Sequence, residues 1–199
     1  MSSSNNIGIV ILAAGASIRM GKPKQLLQYK GKNLLQHVAE AAVNSNANNV
    51  IVVLGANSDL VAKEIDKLKF HVIVNAEWEE GMASSVRIGL KTLQKLSPAT
   101  EGVIFMVCDQ PFVTSFVLND LIDTQSATGK AIVTCNYGET IGPPALFHKS
   151  LFPELMQLRG DAGARKIIQQ HGNDVATVLF KKGKIDIDTK EDYEALQNS

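Results

Sequence analysis

No Asp or Glu precedes Glu40 in this 199-residue chain. The same span carries Arg19, Lys22, Lys24, Lys30 and Lys32, although the whole chain balances 20 basic against 20 acidic residues. The start of the chain is therefore a local anion-attracting region in a protein of no net charge. Cysteine is scarce too. Cys108 and Cys135 are too few for a disulfide framework or a cysteine zinc site, so a reduced cytoplasmic compartment is expected. There is no basic stripe interleaved with aromatics, which argues against nucleic acid as a partner. The first apolar run is too short to span a membrane and no cationic segment precedes it, so neither a membrane partner nor a targeting segment is expected. His37, His71, His148 and His171 lack metal-ligand spacing, and no nucleophile elbow is present. Repeats, linkers and low-complexity stretches are absent as well. The composition, 45% hydrophobic, predicts one domain over 1–199 with a frayed polar tail over 1–6.

Against these absences stands a clear alternation. Apolar runs at 7–12, 49–54, 72–74, 103–107, 131–135 and 175–180 predict strands. The Asn33/Gln36 spacing of a capping box opens a helix running to about Ser45. Ser58 is expected to cap a second helix to about Leu68. A third covers 81–94, with Met82, Val86, Leu90 and Leu93 spaced for one buried face. Thr114 opens a fourth, ending near Thr128; shorter helical pieces fall at 151–157 and 162–171, and Thr189 with Asp192 starts the last. Between them, Tyr137-Gly138-Glu139 reads as a turn, and Pro143-Pro144 precedes a short apolar segment at 145–147. Strands alternating with helices give an α/β class with a mostly parallel sheet.

The first strand runs into Leu12-Ala13-Ala14-Gly15-Ala16-Ser17-Ile18-Arg19-Met20-Gly21-Lys22-Pro23-Lys24. Small residues let the backbone turn tightly and bring its amides to a ligand, and Arg19, Lys22 and Lys24 follow at once. Bare amides with fixed cations beyond a strand end suit a polyphosphate. The loop lacks the Gly-Lys-Ser/Thr of a Walker loop and the three glycines of a dinucleotide fingerprint, so the device is a different one. Cys108-Asp109-Gln110-Pro111 follows the fourth strand, and in open α/β sheets ligands sit outside the carboxyl ends of strands. Asp109 there can hold Mg²⁺, which takes one or two protein carboxylates beside phosphate oxygens and water. If 185–188 is extended, Asp186 and Asp188 share a face and either can supply the second carboxylate. Hydroxyls at the helix start Gly81-Met82-Ala83-Ser84-Ser85 can read a base or sugar edge. Gly160-Asp161-Ala162-Gly163-Ala164-Arg165 can wrap a second substrate with Arg165 as an anion contact, or be a helix start capped by Asp161.

Together these segments resemble a known family. The pattern Leu12-Ala13-Ala14-Gly15-x-Ser17-x-Arg19-Met20-Gly21-x-Pro23-Lys24 is similar to the signature of the MobA-like nucleotidyltransferases of molybdenum cofactor biosynthesis. So are Asn75-x-x-Trp78-x-x-Gly81-Met82-x-Ser84-Ser85, Cys108-Asp109-Gln110-Pro111, Gly142-x-Pro144, Gly160-Asp161-x-Gly163-Ala164-Arg165 and Asp186-Ile187-Asp188-Thr189, in the family's order. Guanylyl-transferring relatives read Leu-Ala-Gly-Gly and place Asp before the lysine matching Lys24. Ala14 and Pro23 therefore resemble the cytidylyl branch, which joins CMP from CTP to molybdenum cofactor and releases pyrophosphate. Lys190 departs from the family, which usually has Pro after the Asp-Thr pair. The resemblance implies a three-layer α/β/α fold with a mixed sheet, like the nucleotide-diphospho-sugar transferases. It implies Arg19, Lys24 and Asp109 as catalytic residues and Leu12, Ala13, Ala14, Gly15, Ser17, Arg19, Lys24, Gly81, Ser84 and Ser85 at the nucleotide. It further implies Gly142, Pro144, Gly160, Asp161, Gly163 and Arg165 at the acceptor, with Mg²⁺ on Asp109 and Asp188 or Asp186. A molybdenum hydroxylase would receive the product. Two other readings keep the same residues: a cytidylyl- or uridylyltransferase acting on a sugar or polyol phosphate, and a non-catalytic carrier delivering a nucleotide-containing cofactor.

Overall fold

The structure is a computed structural model and describes residues 6–65 and 70–198. Its elements in chain order are β1 (Ile7–Ala13), β2 (Gln28–Tyr29), β3 (Lys32–Asn33), α1 (Leu34–Val43), β4 (Asn49–Leu54), α2 (Ser58–Glu64), β5 (His71–Val74) and α3 (Met82–Leu96). There follow β6 (Gly102–Val107), α4 (Ser115–Thr128), β7 (Ile132–Asn136), β8 (Ile141–His148), α5 (Phe152–Leu155), α6 (Arg165–Gln170), β9 (Val175–Leu179) and α7 (Lys190–Gln197). The expected end of the second helix near Leu68 and the expected tail residues 1–5 lie outside the described residues. Asn6 is tied down, since its carbonyl accepts from the Glu101 amide at 2.8 Å.

Seven strands form one sheet in the order β5-β4-β1-β6-β8-β7-β9. Pairing is parallel except at β8, which runs antiparallel to both β6 and β7. The implied mixed sheet is thus present, with β8 as its reversed strand. Pro143 and Pro144, joined by a cis peptide, lie inside β8 rather than before it. They fit because the β7–β8 register jumps from Thr134↔Ala145 to Cys135↔Gly142 and leaves both prolines out of the ladder. Proline has no amide to donate, so a bulge is where a strand tolerates it.

Strand alternation sorts the core into two faces. Ile7, Ile9 and Ile11 of β1 join Leu35 and Val38 of α1, Val61 of α2 and Leu118 and Leu121 of α4 on one side. Val10 joins Val86, Leu90 and Leu93 of α3, with Leu155 of α5 and Ile167 of α6, on the other. Helices on both faces make three layers. A third cluster, with Met20, Leu27, Tyr29, Ile187 and Leu196, pins the first loop to the C-terminal segment.

The local helix signals explain themselves in detail. Asn33 and Gln36 form the reciprocal capping box of α1, at 2.8 and 2.9 Å, and the Thr114 side chain caps α4. Ser58 is not a cap; Asn57, in left-handed conformation, precedes α2 without a side-chain bond. On α3, Val86, Leu90 and Leu93 are buried as expected, but Met82 is 45% exposed. It is the first residue of the helix. Asp161 does not cap α6, whose cap position is Ala164.

Gly89 sets how closely α3 lies on β1. A Cβ there would fall 2.4 Å from Val10 Cγ1 in the buried centre of the sheet. Overpacking of that kind costs about 1–3 kcal/mol, against about 1 kcal/mol of helix propensity that alanine regains. Gly89→Ala is expected to lower unfolding stability by up to about 2 kcal/mol in a denaturant titration.

Candidate active site

The order of strands reverses between β1 and β6: the chain winds outward through β4 and β5, then returns to the opposite side of β1. Ligands in open α/β sheets bind at such a switch point, outside the strand carboxyl ends. The 14–17 loop after β1 and Cys108-Asp109 after β6 meet there, across a cavity of about 510 Å³.

The loop is held open by its own carbonyls. Gln25, 1% exposed, donates from Nε2 to the carbonyls of Ala13 at 2.8 Å and Gly15 at 3.0 Å. The Ala14 carbonyl accepts from the Ala56 amide at 3.0 Å. With these carbonyls turned back, the amides of Gly15, Ala16 and Ser17 have no acceptor among the described residues. Ser17 adopts φ 55°, and its Oγ accepts from the Lys24 amide at 3.0 Å, which folds the cationic segment back beside the loop. No α-helix follows. Ile18–Met20 and Lys24–Leu26 are single 3-10 turns.

Lys24 is the hub of the site. Its Nζ bonds Asp109 Oδ2 and, at 3.0 Å, Asp188 Oδ1. The Lys24, Asp109 and Asp188 side chains are 18%, 14% and 37% exposed. Arg19, on the loop, pairs with Asp188 Oδ2 at 2.9 Å and is 71% exposed. Burial works to lower the Lys24 pKa, but the charge and hydrogen bond of Asp109, helped by Asp188, overcome it and hold the ammonium charged. Burial likewise pushes Asp188 up, and the bonds and charges of Lys24 and Arg19 more than offset it, so its carboxyl lies below the usual range. Asp109 Oδ1 is buried without a hydrogen-bond partner among the described residues. Neighbouring Cys108 is inert: desolvation first, then the Asp109 charge, pushes its thiol up to about 12.

The 185–188 segment is not a strand, so the expected alternation does not apply and the two carboxylates part. Ile187 is buried and its amide donates to the Asp109 carbonyl at 3.1 Å. Asp188 faces the first cavity, while Asp186 lies in the wall of a second. Desolvation, then the Asp109 charge, push the Asp186 carboxyl up. Lys190 does not disturb the turn. Thr189 and Asp192 form a capping box that starts α7, and Asp192 also accepts from the Asp188 amide at 3.1 Å.

The second cavity, about 420 Å³, adjoins the first across Leu12, Met82 and Val107. Gly142, Gly163 and Arg165 line it as expected for an acceptor, but Pro143 lines it while Pro144 is buried in β8. Asp161 lines the first cavity instead. Gly160 is structural, its carbonyl accepting from the Ala83 amide at 3.0 Å. Ala13, Ala14, Gly15, Gly81 and Ser85 border the first cavity. Ser84 does not border it; its hydroxyl donates to the Gly81 carbonyl at 2.8 Å and accepts from Asn75 at 2.7 Å. Gln25 and the Asn75 amide, which also donates to Ser85 at 3.0 Å, were not among the expected site residues. A lone Gln before two leucines is the available signal for the first.

One side of the first cavity is laced to the 158–161 loop. Gly81, at φ 114°, lies so close to the 158–161 loop that a Cβ would fall 2.5 Å from Asp161 Oδ1. Arg87 donates to Glu80 at 2.8 and 2.5 Å and to the Leu158 carbonyl at 2.7 Å. The Arg87 hydrogen bond holds the Glu80 carboxyl below its ordinary 4.5. A lowered carboxyl stabilises the fold above that ordinary value and ceases to do so as pH falls through the folded one. Glu80→Gln is therefore expected to lower Tm at pH 7, with the difference from wild type vanishing on acidification, as read in a pH series of thermal melts.

Comparisons with known proteins show what the chain is similar to. The chain is 28% identical over 203 residues to the purine catabolism protein PucB of Bacillus subtilis (strain 168), covering 96% of this chain and 95% of that protein. It is 29% identical over 170 residues to nicotine blue oxidoreductase of Paenarthrobacter nicotinovorans, covering 81% and 80%. Rv0371c of Mycobacterium tuberculosis H37Rv superposes with a TM-score of 0.83 at 31% identity over 98% of both chains. It has also been solved as a complex with manganese, with a TM-score of 0.81 at 29% identity over 98% and 99%. A nucleotidyl transferase from Methanothermobacter shares the fold alone, at 19% identity and a TM-score of 0.81 over 98% and 97%. Residues 9–175 match the MobA-like NTP transferase domain, and this chain belongs to that family of nucleotidyltransferases.

Proposed function

We propose that the protein transfers CMP from CTP to the terminal phosphate of molybdenum cofactor, releasing pyrophosphate, with Mg²⁺. The observation that carries the reading is Lys24 Nζ bridging Asp109 and Asp188 beside a loop that lines the cavity and whose 15–17 amides have no acceptor among the described residues. Binding without chemistry needs no such pairing, which argues against a pure carrier.

Asp109 and Asp188 would hold the metal. Two convergent carboxylates, one with a buried unpartnered oxygen, fit an ion that takes one or two protein carboxylates and fills its shell from phosphate and water. When bound, Mg²⁺ neutralises phosphate charge. The 15–17 amides bind phosphate oxygens. Ala13, Ala14 and Gly81 border the base and sugar, and Ser85 contributes the hydroxyl edge. Lys24 and Arg19, now spent on carboxylates, turn to the triphosphate and to the charge developing at the α-phosphorus. Val107, Leu12 and Met82 bring the acceptor's cavity alongside, with Gly142, Gly163 and Arg165 around it. The acceptor phosphate forms the new P–O bond in line as the bond to pyrophosphate breaks. Positioning and charge neutralisation supply the catalysis, with no protein nucleophile.

Ala14, which lines the first cavity, supports the base choice, since relatives transferring GMP have glycine there. The reading places the protein in the cytoplasm, with CTP and molybdenum cofactor as partners and a molybdenum hydroxylase as recipient. Purified protein with Mg²⁺ and molybdenum cofactor, offered CTP, GTP, UTP and ATP separately, is expected to release pyrophosphate fastest with CTP. Ala14→Gly is expected to narrow the preference over GTP. Faster release with GTP by the wild type would overturn the base assignment.

A further inference from the structure

We propose that Trp78 forms, with Ala14, the wall of the first cavity that limits the nucleobase to a single ring. The inference rests on the transfer reading for the statement that a nucleotide enters that cavity. Trp78 is the one tryptophan of the chain. It is half-buried and lines the cavity beside Ala14 and Gly81. Yet it belongs to none of the three apolar clusters. Among the described residues its indole makes no hydrogen bond, ring contact or cation contact. A side chain with so much apolar surface ordinarily anchors a core or an interface, and its N–H ordinarily finds a partner. An aromatic ring kept out of the core and set in a ligand cavity offers a flat base a surface to rest on.

The turn that carries Trp78 is pinned on both sides. Buried Asn75 accepts from the Glu77 amide through Oδ1 at 3.0 Å, and its own amide donates to the Leu54 carbonyl at 2.7 Å. Trp78–Glu80 is a single 3-10 turn, closed by the Gly81 amide on the Trp78 carbonyl at 3.1 Å. The Asn75 side chain also donates to Ser84 and Ser85, at 2.7 and 3.0 Å. One buried amide therefore ties the turn to the start of α3. Gly55, directly after β4, brings this turn against the first loop. A Cβ at Gly55 would fall 2.7 Å from both the Ala14 carbonyl oxygen and Trp78 Cβ. It would also fall 2.8 Å from Ala14 Cβ. Ala14 and Trp78 thus converge on one glycine and adjoin in the wall. The Ala14 carbonyl, held by the Ala56 amide at 3.0 Å, fixes that wall from behind. A two-ring base would need it to lie further back.

Because the chain has one tryptophan, its fluorescence reads this wall alone. Wild type with Mg²⁺ and no acceptor is titrated with CTP, GTP and inorganic tripolyphosphate, and calorimetry follows binding in parallel. CTP is expected to change the emission. Tripolyphosphate, which has no base to reach the wall, is expected to leave it unchanged. Trp78→Ala is expected to bind CTP about ten-fold more weakly, the scale of one base–aromatic contact, and to bind GTP at least as well as wild type does. Its preference for CTP over GTP therefore falls about ten-fold or more, whereas Trp78→Phe keeps most of it. A merely structural role would weaken both nucleotides alike and leave the ratio in place. CTP bound with unchanged emission, an equal change with tripolyphosphate, or an unchanged ratio in Trp78→Ala would each overturn the inference and leave cytidylyl transfer standing. No binding of CTP at all would overturn both.

Discussion

Lys24→Ala is expected to reduce turnover at least 10²-fold, the usual cost of removing one fixed donor from a closed electrostatic site. Lys24 is the only cation that reaches both Asp109 and Asp188 among the described residues. Its loss removes phosphate neutralisation and leaves two carboxylates facing each other across the cavity floor. Breaking a pair that is largely buried by deleting one partner destabilises strongly, by about 3–5 kcal/mol when burial is complete. With Asp188 still 37% exposed, the loss here is smaller. A second consequence separates the electrostatic account from simple misfolding. Two carboxylates without their ammonium attract a divalent cation more strongly, so Lys24→Ala is expected to bind Mn²⁺ more tightly than wild type in the absence of nucleotide. Steady-state pyrophosphate release, a thermal melt and a Mn²⁺ titration read the three effects. Near-wild-type turnover would remove Lys24 from the catalytic assignment.

Asp109→Asn acts on the other half of the same pair and is also expected to cost at least 10²-fold in turnover. The substitution keeps the shape of the side chain and removes its charge. Oδ1, buried and unpartnered among the described residues, becomes half of a neutral amide, which is a poor ligand for a hard divalent ion. Activity is therefore expected to require a higher Mg²⁺ concentration, and the dependence on CTP to weaken with it. Asp186→Asn, only two residues from Asp188, is expected to leave the Mg²⁺ requirement where it is. Equal metal dependence in wild type and Asp109→Asn, with turnover intact, would contradict the role of Asp109.

Much of this was legible in the chain because the signals are local. The capping pair Asn33 and Gln36, the cap Thr114 and the apolar runs of β1, β4 and β6 each fix an element within a few residues. The basic loop and Asp109 could be joined as one site because both follow strands, and the switch point lies between those strands. What the sequence hid depends on contacts far apart in it. In the sequence β8 shows only as an apolar piece after two prolines, since nothing local announces a reversed strand whose bulge absorbs them. Strand alternation would put Asp186 and Asp188 on one face. Ile187, buried and bonded to the Asp109 carbonyl, instead divides them between two cavities. Ser84 and Met82 show the same limit. Helical spacing marks a face but not what stands opposite the helix's first turn: the Ser84 hydroxyl is taken up by Gly81 and Asn75, and Met82 lies against the two cavities.

The most direct measurement of the central claim is label transfer. CTP labelled at the α-phosphate is incubated with the protein, Mg²⁺ and molybdenum cofactor, and the cofactor is separated and counted beside the pyrophosphate released. The account predicts label in the cofactor in one-to-one ratio with pyrophosphate, and both products formed at least about 10²-fold more slowly by Lys24→Ala. Pyrophosphate without labelled cofactor, or label moving only to a sugar or polyol phosphate offered in its place, would contradict it.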